Sequence, residues 1–226
     1  VLVETSEDRL ESFKDQRPAL EVPAEAQALT LAADMQKDHF YFSVYAHAVA
    51  PRRDWLVDYG TVQSWDELSA LIFQTTYRKP DGQVLPVWRA AVDTGGGKGR
   101  EEEETRTMQC YQWLLRQRPG VVSGVKGMSR ARPGVFVHWS MLDKLPDGRQ
   151  LKSGLRLYNL DTSAFKKLLF WRINEGSEEE PVLFHSQTSP DYFRQLLSEK
   201  LIRGKKGKEE WKRVQANHWL DCLVLH

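Results

Sequence analysis

Alternation of apolar and polar side chains is clearest over His39–His47, where Phe40, Phe42, Val44 and Ala46 fall on one face and His39, Tyr41, Ser43, Tyr45 and His47 on the other. A period of two marks a half-buried strand. Just before it, Ala28–Asp34 is a run of small and aliphatic residues ending on a carboxylate. The two segments read as strands joined by a tight polar turn, with Asp34 at the end of the inner one. Thr30 and Ala32 share the face of Asp34 and leave room beside it. A lone aspartate at a strand end also reads as a turn residue. Trp55–Gly60 supplies a third strand. Ser64, Trp65, Asp66 and Glu67 have the form of a capping box, opening a helix whose stripe is Leu68, Leu71 and Ile72.

After the turn at Pro80–Gly82, Val87–Asp93 reads as a second inner strand that also ends on a carboxylate. A helix is expected from Glu101 to about Arg118, with acids in its first turn, then a short strand over Val121–Gly127. Phe136–Trp139 and Leu155–Leu160 flank the turn at Pro146–Gly148, the pattern of an inserted β-hairpin. Asp161 is placed to cap a helix carrying Phe165, Leu168 and Leu169 inward. Val182–Phe184 is a short strand, and Ser189 and Pro190 start a helix with Phe193, Leu196, Leu197 and Leu201. Arg203–Lys208 forms a basic loop, continued by Trp211–Arg213 as a hairpin arm. The last helix carries Leu220, Leu223 and Val224 on one stripe, and Asn217 and Asp221 on one face, one turn apart. Trp88, Trp171 and Trp219 are expected in the core, and Asp58 toward solvent or a loop. Residues 1–27 are acidic, contain Pro18 and Pro23 and lack a sustained period, which reads as a lead-in or linker.

At 226 residues the chain can bury one substantial core. Its net charge of +1 means that any nucleic-acid partner must be held by local basic patches. Cys110 and Cys222 are the only cysteines and show no CxxC spacing, so neither a disulfide framework nor a zinc module is indicated, which suits a reducing compartment. No apolar run has the length of a membrane span, and the first residues are not a signal peptide. The chain starts on Val1 and stops soon after Asp221, as expected of a piece of a longer protein.

The loop Thr94–Gly99 is glycine-rich, but Lys98 is followed by Gly99 rather than by Ser or Thr, so it is not a phosphate-binding P-loop. It reads instead as a flexible loop that lets a substrate approach Asp93. The order of elements places Asp34 and Asp93 at two strand ends and Asp221 on a late helix. Three antiparallel strands followed by alternating strand and helix is the ribonuclease-H-like plan, an α/β fold with a mixed central sheet flanked by helices, here with an extra β-hairpin. In that plan the three carboxylates meet. Clustered carboxylates repel one another, and a hard cation such as Mg2+ or Mn2+ takes oxygen ligands, so the cluster argues for a metal site.

The segments Leu29–Gln36, Trp55–Gly60, Val92–Gly96, Val125–Gly127 and Asn217–Cys222 resemble, in order, the nuclease domain of the phage terminase large subunit, most closely the lambda-type family. That resemblance implies a metal-dependent endonuclease cutting concatemeric double-stranded viral DNA, with two Mg2+ or Mn2+ ions. It makes Asp34, Asp93 and Asp221 the metal ligands, Asp34 serving both ions. It implies residues 1–27 as a lead-in from an upstream ATPase domain of the same polypeptide and 28–226 as the nuclease domain. It also implies a small terminase subunit and a portal as partners, no membrane, action in the host cytoplasm, and a monomeric isolated domain. The chain reads Ala33-Asp34 where the family commonly has Val-Asp, and His218 stands where an acid is common.

Lys126 at a strand end and Lys98 in the glycine loop are candidate phosphate contacts, as are Arg130, Arg132, Lys205, Lys206, Lys208, Lys212 and Arg213. His218 is expected to face solvent, with a hydrogen bond to a phosphate or a metal-bound water as the alternative. Two other functions fit the same pattern: a transposase or junction resolvase on this fold, or a non-catalytic DNA-gripping or portal-docking module.

Overall fold

Backbone pairing starts with three antiparallel strands, β1 (Ala28–Met35), β2 (Phe40–Val49) and β3 (Arg52–Val62). The computed structural model describes residues 5–95, 101–118, 120–128, 134–176, 178–204, 207 and 209–226, and of residues 101–105 the helical backbone alone. The Gln36 N–H donates to the His39 carbonyl at 2.9 Å and closes the β1–β2 turn. The alternation in β2 is real, but β2 is not half-buried. Phe40, Val44 and Ala46 enter one apolar cluster, while Tyr45 enters a second one on the other face and Ser43 is equally buried. Helices cover both faces, so the polar face of β2 meets protein rather than water.

The stretch that reads as a lead-in is packed. Helix α1 (Glu7–Glu11) buries Leu10 completely, and Leu20 donates its N–H to the Val57 carbonyl at 2.9 Å. The Arg17 guanidinium reaches the carbonyls of Glu21 and Leu56 at 2.9 and 3.1 Å. Polar side chains bound to backbone carbonyls make this segment part of the domain although its sequence lacks a period.

Ser64 caps α2 (Trp65–Phe73) by accepting the Glu67 N–H at 3.1 Å, and Glu67 reaches back to the Gln63 N–H at 2.9 Å. The Pro80–Gly82 turn lies inside a small ribbon of β4 (Thr76–Arg78) and β5 (Val84–Pro86). The second inner strand, β6 (Arg89–Asp93), runs parallel to β1. It is followed by α3 (Glu101–Leu114) and by β7 (Val122–Gly127), parallel to β6. Gly124 is where α3 presses on β7: a Cβ there would lie 2.6 Å from Leu114 and 2.8 Å from Leu157.

The hairpin of β8 (Val137–Lys144) and β9 (Gln150–Leu160) is longer than the sequence suggests and is not a detached insertion, because β9 pairs in parallel with β7. The remaining elements are α4 (Thr162–Asn174), β10 (Val182–Leu183), α5 (Pro190–Leu196), β11 (Glu199–Arg203), β12 (Glu209–Arg213) and α6 (His218–Val224). Asp161 caps α4 by accepting the Ala164 N–H at 3.1 Å. Leu201 lies on β11 rather than on α5. The sheet order is β10-β3-β2-β1-β6-β7-β9-β8. Its centre, an antiparallel trio extended by parallel strands on the β1 side, is the ribonuclease-H-like arrangement. Helices α2 and α3 cover one face with the larger apolar cluster, and α1, α5 and α6 pack on the other. Trp219 is buried as expected, whereas Trp88 and Trp171 are 57% and 39% exposed. Asp58 accepts the Tyr77 hydroxyl at 2.8 Å instead of facing solvent.

A buried polar chain ties the sheet to α4 and to the C-terminal turn. Thr30 Oγ1 lies 2.6 Å from His47 Nε2, His47 Nδ1 lies 2.7 Å from Asp54, and Asp54 pairs with Arg172. Burial alone would raise the Asp54 carboxyl, but the hydrogen bond from His47 and the charge of Arg172 outweigh it and hold it at about 2. A carboxylate depressed in the folded state stabilises the fold fully above its unfolded value of about 3.9 and stops doing so as pH falls toward the folded value, about 2 kcal/mol in all. Urea unfolding should therefore show this loss between pH 4 and 2 in the wild type. Asp54→Asn should be less stable at pH 7 by about 3 kcal/mol, since the buried Arg172 loses its nearest carboxylate and keeps Glu180 at 3.7 Å, and flatter in that acid window.

Candidate active site

Parallel pairing of β1 with β6 makes Asp34 and Asp93 Cα partners at the C-terminal ends of both strands. Partnered residues project to the same face of a sheet, here the face that α6 packs on. Asp34 is buried, and both hydrogen bonds to it fall on Oδ2, from Gln36 Nε2 at 2.7 Å and from His218 Nδ1 at 2.7 Å. A carboxylate only accepts, so the His218 proton sits on Nδ1 when Asp34 is ionised. The His218 ring stacks on Tyr41, with centroids 4.3 Å apart and planes 12° off parallel. His218 is thus not a solvent-facing helix residue: Tyr41, the β2 partner of Asp34, supplies the platform that turns its imidazole onto the carboxylate.

Asp93 Oδ1 accepts the Gly95 N–H at 2.8 Å, an Asx turn that ends β6. Burial is the main cause that pushes the Asp93 carboxyl up to about 6. The charges of Asp34 and Asp221 add to it, while the Gly95 N–H and Lys126 oppose it. Asp221 is also pushed up to about 6, first by burial and then by Asp34 and Glu199, against the opposing charge of Lys166. The three aspartates therefore feel one another across the tops of β1, β6 and α6.

Helix α6 is held down by Leu220, Leu223, Val224 and Trp219, all buried against the sheet and α5. The residue before it, Asn217, does not cap it by side chain; Nδ2 instead donates to Asp221 Oδ2 at 2.7 Å and to Glu199 Oε1 at 2.8 Å. Lys166 of α4 completes the group, its Nζ 2.7 Å from Glu199 Oε1 and 3.3 Å from Asp221 Oδ1. Lys166 and Glu199 escape sequence reasoning. Lys166 sits one position from the apolar stripe of α4, and only the packing of α4 beside α6 and β11 brings it to Asp221 and Glu199.

Among the described residues no three His, Cys, Asp or Glu side chains are gathered into a finished metal cage. The donor set nevertheless fits a hard divalent cation. Its candidate ligands are carboxylates; protein hydrogen bonds fall on Oδ2 of Asp34 and Oδ1 of Asp93, while Asp221 meets Asn217 through Oδ2 and Lys166 through Oδ1. Two carboxyls raised by burial and mutual repulsion are the electrostatic condition that a cation relieves. Lys126, exposed at the end of β7, contributes its charge at Asp93. Lys212 and Arg213 are exposed on β12. Lys98, Arg130, Arg132, Lys205, Lys206 and Lys208 lie outside the described residues. An open groove of about 910 Å³ lies at the opposite end of β1 and β6, beside Ala28, Trp88 and Arg89, and holds none of the three aspartates.

The family model described as terminase large subunit gpA, endonuclease domain, matches residues 2–226. Among solved structures, the nuclease domain of the P22 large terminase is similar with 11% identity and a TM-score of 0.46, over 99% of this chain and 88% of that one. The nuclease domain of the g2p large terminase from bacteriophage SPP1, with bound Mn, is similar with 11% identity and a TM-score of 0.44, over 90% of this chain and 93% of that one. No curated protein sequence matches this chain.

Replacing Lys166 by Met leaves Glu199 and Asp221 facing each other without their cation. Removing one partner of a buried charge group costs about 3 kcal/mol, so urea unfolding of Lys166→Met at pH 7 should show a loss of that order. The loss should shrink toward pH 5 as the Asp221 carboxyl, pushed up to about 6, takes up a proton. A variant as stable as the wild type would mean that the lysine does not neutralise the pair.

Proposed function

The chain belongs to the endonuclease-domain family of the terminase large subunit gpA, and from that premise we propose that it is a divalent-metal-dependent endodeoxyribonuclease that cuts concatemeric double-stranded viral DNA. The observation that carries this reading is the pairing of Asp34 with Asp93 at adjacent strand ends, within electrostatic reach of Asp221. In this reading Asp34, Asp93 and Asp221 would hold two Mg2+ or Mn2+ ions. When bound, such ions supply Lewis acidity toward the phosphodiester and toward water.

The chain's own residues prepare the site. Gln36 and His218 fix one oxygen of Asp34, the Gly95 N–H fixes one oxygen of Asp93, and Asn217 and Lys166 steady Asp221. Lys126, exposed at the end of β7 and acting by its charge on Asp93, would meet the scissile phosphate. In the hydrolysis, a water oxygen bonds to phosphorus, the P–O3′ bond breaks, and the departing oxygen takes up a proton. The ends are a 5′-phosphate and a 3′-hydroxyl. The partners of this reading are an upstream ATPase domain of the same polypeptide, a small terminase subunit and a portal, all in the host cytoplasm, with the isolated domain a monomer.

Supercoiled plasmid incubated with the protein and Mg2+ or Mn2+ should be nicked and linearised, and EDTA should stop it. Asp93→Ala should lower the rate at least about 10³-fold, the several kcal/mol of transition-state stabilisation that a metal site supplies, with an unchanged circular dichroism spectrum. Cleavage that persists in that variant refutes the assignment. Hydrogen-bond partners of metal ligands contribute about 10–100-fold in metal affinity or activity. Accordingly, His218→Ala should cut about tenfold more slowly than the wild type while keeping its circular dichroism spectrum; a wild-type rate would show that the imidazole does not orient Asp34.

A further inference from the structure

The register row that contains the two aspartates continues to the edge of the sheet. It runs through Tyr41, Asp34, Asp93, Val125, Tyr158 and Trp139, from β2 by way of β1, β6, β7 and β9 to β8. Partnered residues share a face, so Trp139 and Tyr158 stand on the carboxylate side. The other side of this hairpin is packed, with Leu157 buried and Leu142, Leu151 and Leu155 against the larger apolar cluster. On the carboxylate side Trp139 is 57% and Met141 44% exposed. The Arg156 guanidinium lies over the Trp139 ring at 4.9 Å and is itself exposed. From Val137 to Leu160 the chain carries four basic residues (Lys144, Arg149, Lys152, Arg156) against two acids (Asp143, Asp147), and Asp147 is already paired with Arg149.

We propose that this face is a second contact for the DNA duplex, in which Arg156 takes a backbone phosphate while Trp139 holds its guanidinium flat. The proposal rests on the nuclease reading, because it is the shared face and row with Asp34 and Asp93 that directs the same duplex across β7 and β9 to β8. A guanidinium stacked on an indole keeps its N–H edge free, and that edge matches phosphate in a way that an ammonium does not. Three strand spacings separate β6 from β8, about 14 Å at about 4.8 Å each. At about 3.4 Å per base pair that distance puts the contact about four base pairs from the scissile bond. Trp139 and Arg156 are positioning residues: they touch the substrate away from the reacting atoms.

The test uses a fluorescent 24-base-pair duplex with wild type, Trp139→Ala, Arg156→Ala, Arg156→Lys and Asp93→Ala. Binding is read in EDTA at several salt concentrations, and plasmid cleavage is read with Mn2+. Trp139→Ala and Arg156→Ala should each bind about 5–30-fold more weakly, with kcat at saturating DNA within about threefold of wild type and KM raised to match. Arg156→Ala should also lose about one unit of salt slope, the signature of one phosphate contact. Arg156→Lys should recover the salt slope without the full affinity. Both side chains are exposed, so unchanged unfolding midpoints are expected and make any loss of affinity a binding effect. Wild-type affinity and salt slope in Trp139→Ala and Arg156→Ala would overturn the proposal and leave the nuclease standing, a result that would turn this face over to a protein partner. A wild type that binds the duplex without cutting it would sink the nuclease reading alone, with the contact at Trp139 and Arg156 still judged by the binding arm. A wild type that does not bind the duplex overturns both.

Discussion

Two carboxylates set shoulder to shoulder at the ends of parallel strands are the constraint around which the fold is arranged. Pairing of β1 with β6 forces Asp34 beside Asp93 whatever the side chains prefer. Like charges in a partly buried place are costly, and the surrounding groups read as answers to that cost. His218 and Gln36 donate to Asp34, the Gly95 N–H donates to Asp93, and Lys166 sits between Asp221 and Glu199. Parallel strands also need a crossover. The stretch from β3 to β6 meets that need with α2 and the small β4–β5 ribbon, which lie where they also seal the apolar side of the sheet.

The two faces of the sheet divide their chemistry. Toward α2 and α3 the contacts are those of an ordinary core, with Phe40, Leu68, Ile72, Trp113 and Leu114. Toward α4 and α6 the inner strands present Thr30, Asp34, Tyr41, Ser43 and His47, and the helices answer with His218, Asp221 and Arg172. Ala32, between Thr30 and Asp34 on that face, is small enough to leave these polar groups space. The carboxylate side is therefore polar along the length of β1 and not only at its end, while its continuation on β8 and β9 turns aromatic and basic.

Much of this was legible in the order of residues. A strand ending on Asp34, another ending on Asp93 and a late helix with Asp221 are each readable from local pattern, and the topology then brings those three together. What local pattern does not carry is which face of a helix meets which strand. His218 reads as a surface residue until Tyr41 is known to lie beneath it. Lys166 and Glu199 are 33 positions apart and become neighbours only through the docking of α4 on β11. The same limit explains Trp88 and Trp171, whose size suggested the core although their positions, just before β6 and on the outer side of α4, leave them open. Residues 5–27 were misread for another reason: their attachment runs through Arg17 and backbone hydrogen bonds, which leave no hydrophobic period behind.

The place of α6 in the chain has a consequence in time. His218 bonds to a carboxylate 184 positions earlier, and contacts of such long sequence separation close late in folding because the loop entropy must be met first. A chain emerging from the ribosome can pair β1, β2, β3 and β6 and set two aspartates side by side well before the third has been synthesised. The acidic centre is thus completed only when α6 arrives, and a nascent or C-terminally nicked chain carries the scaffold of the site without its third carboxylate.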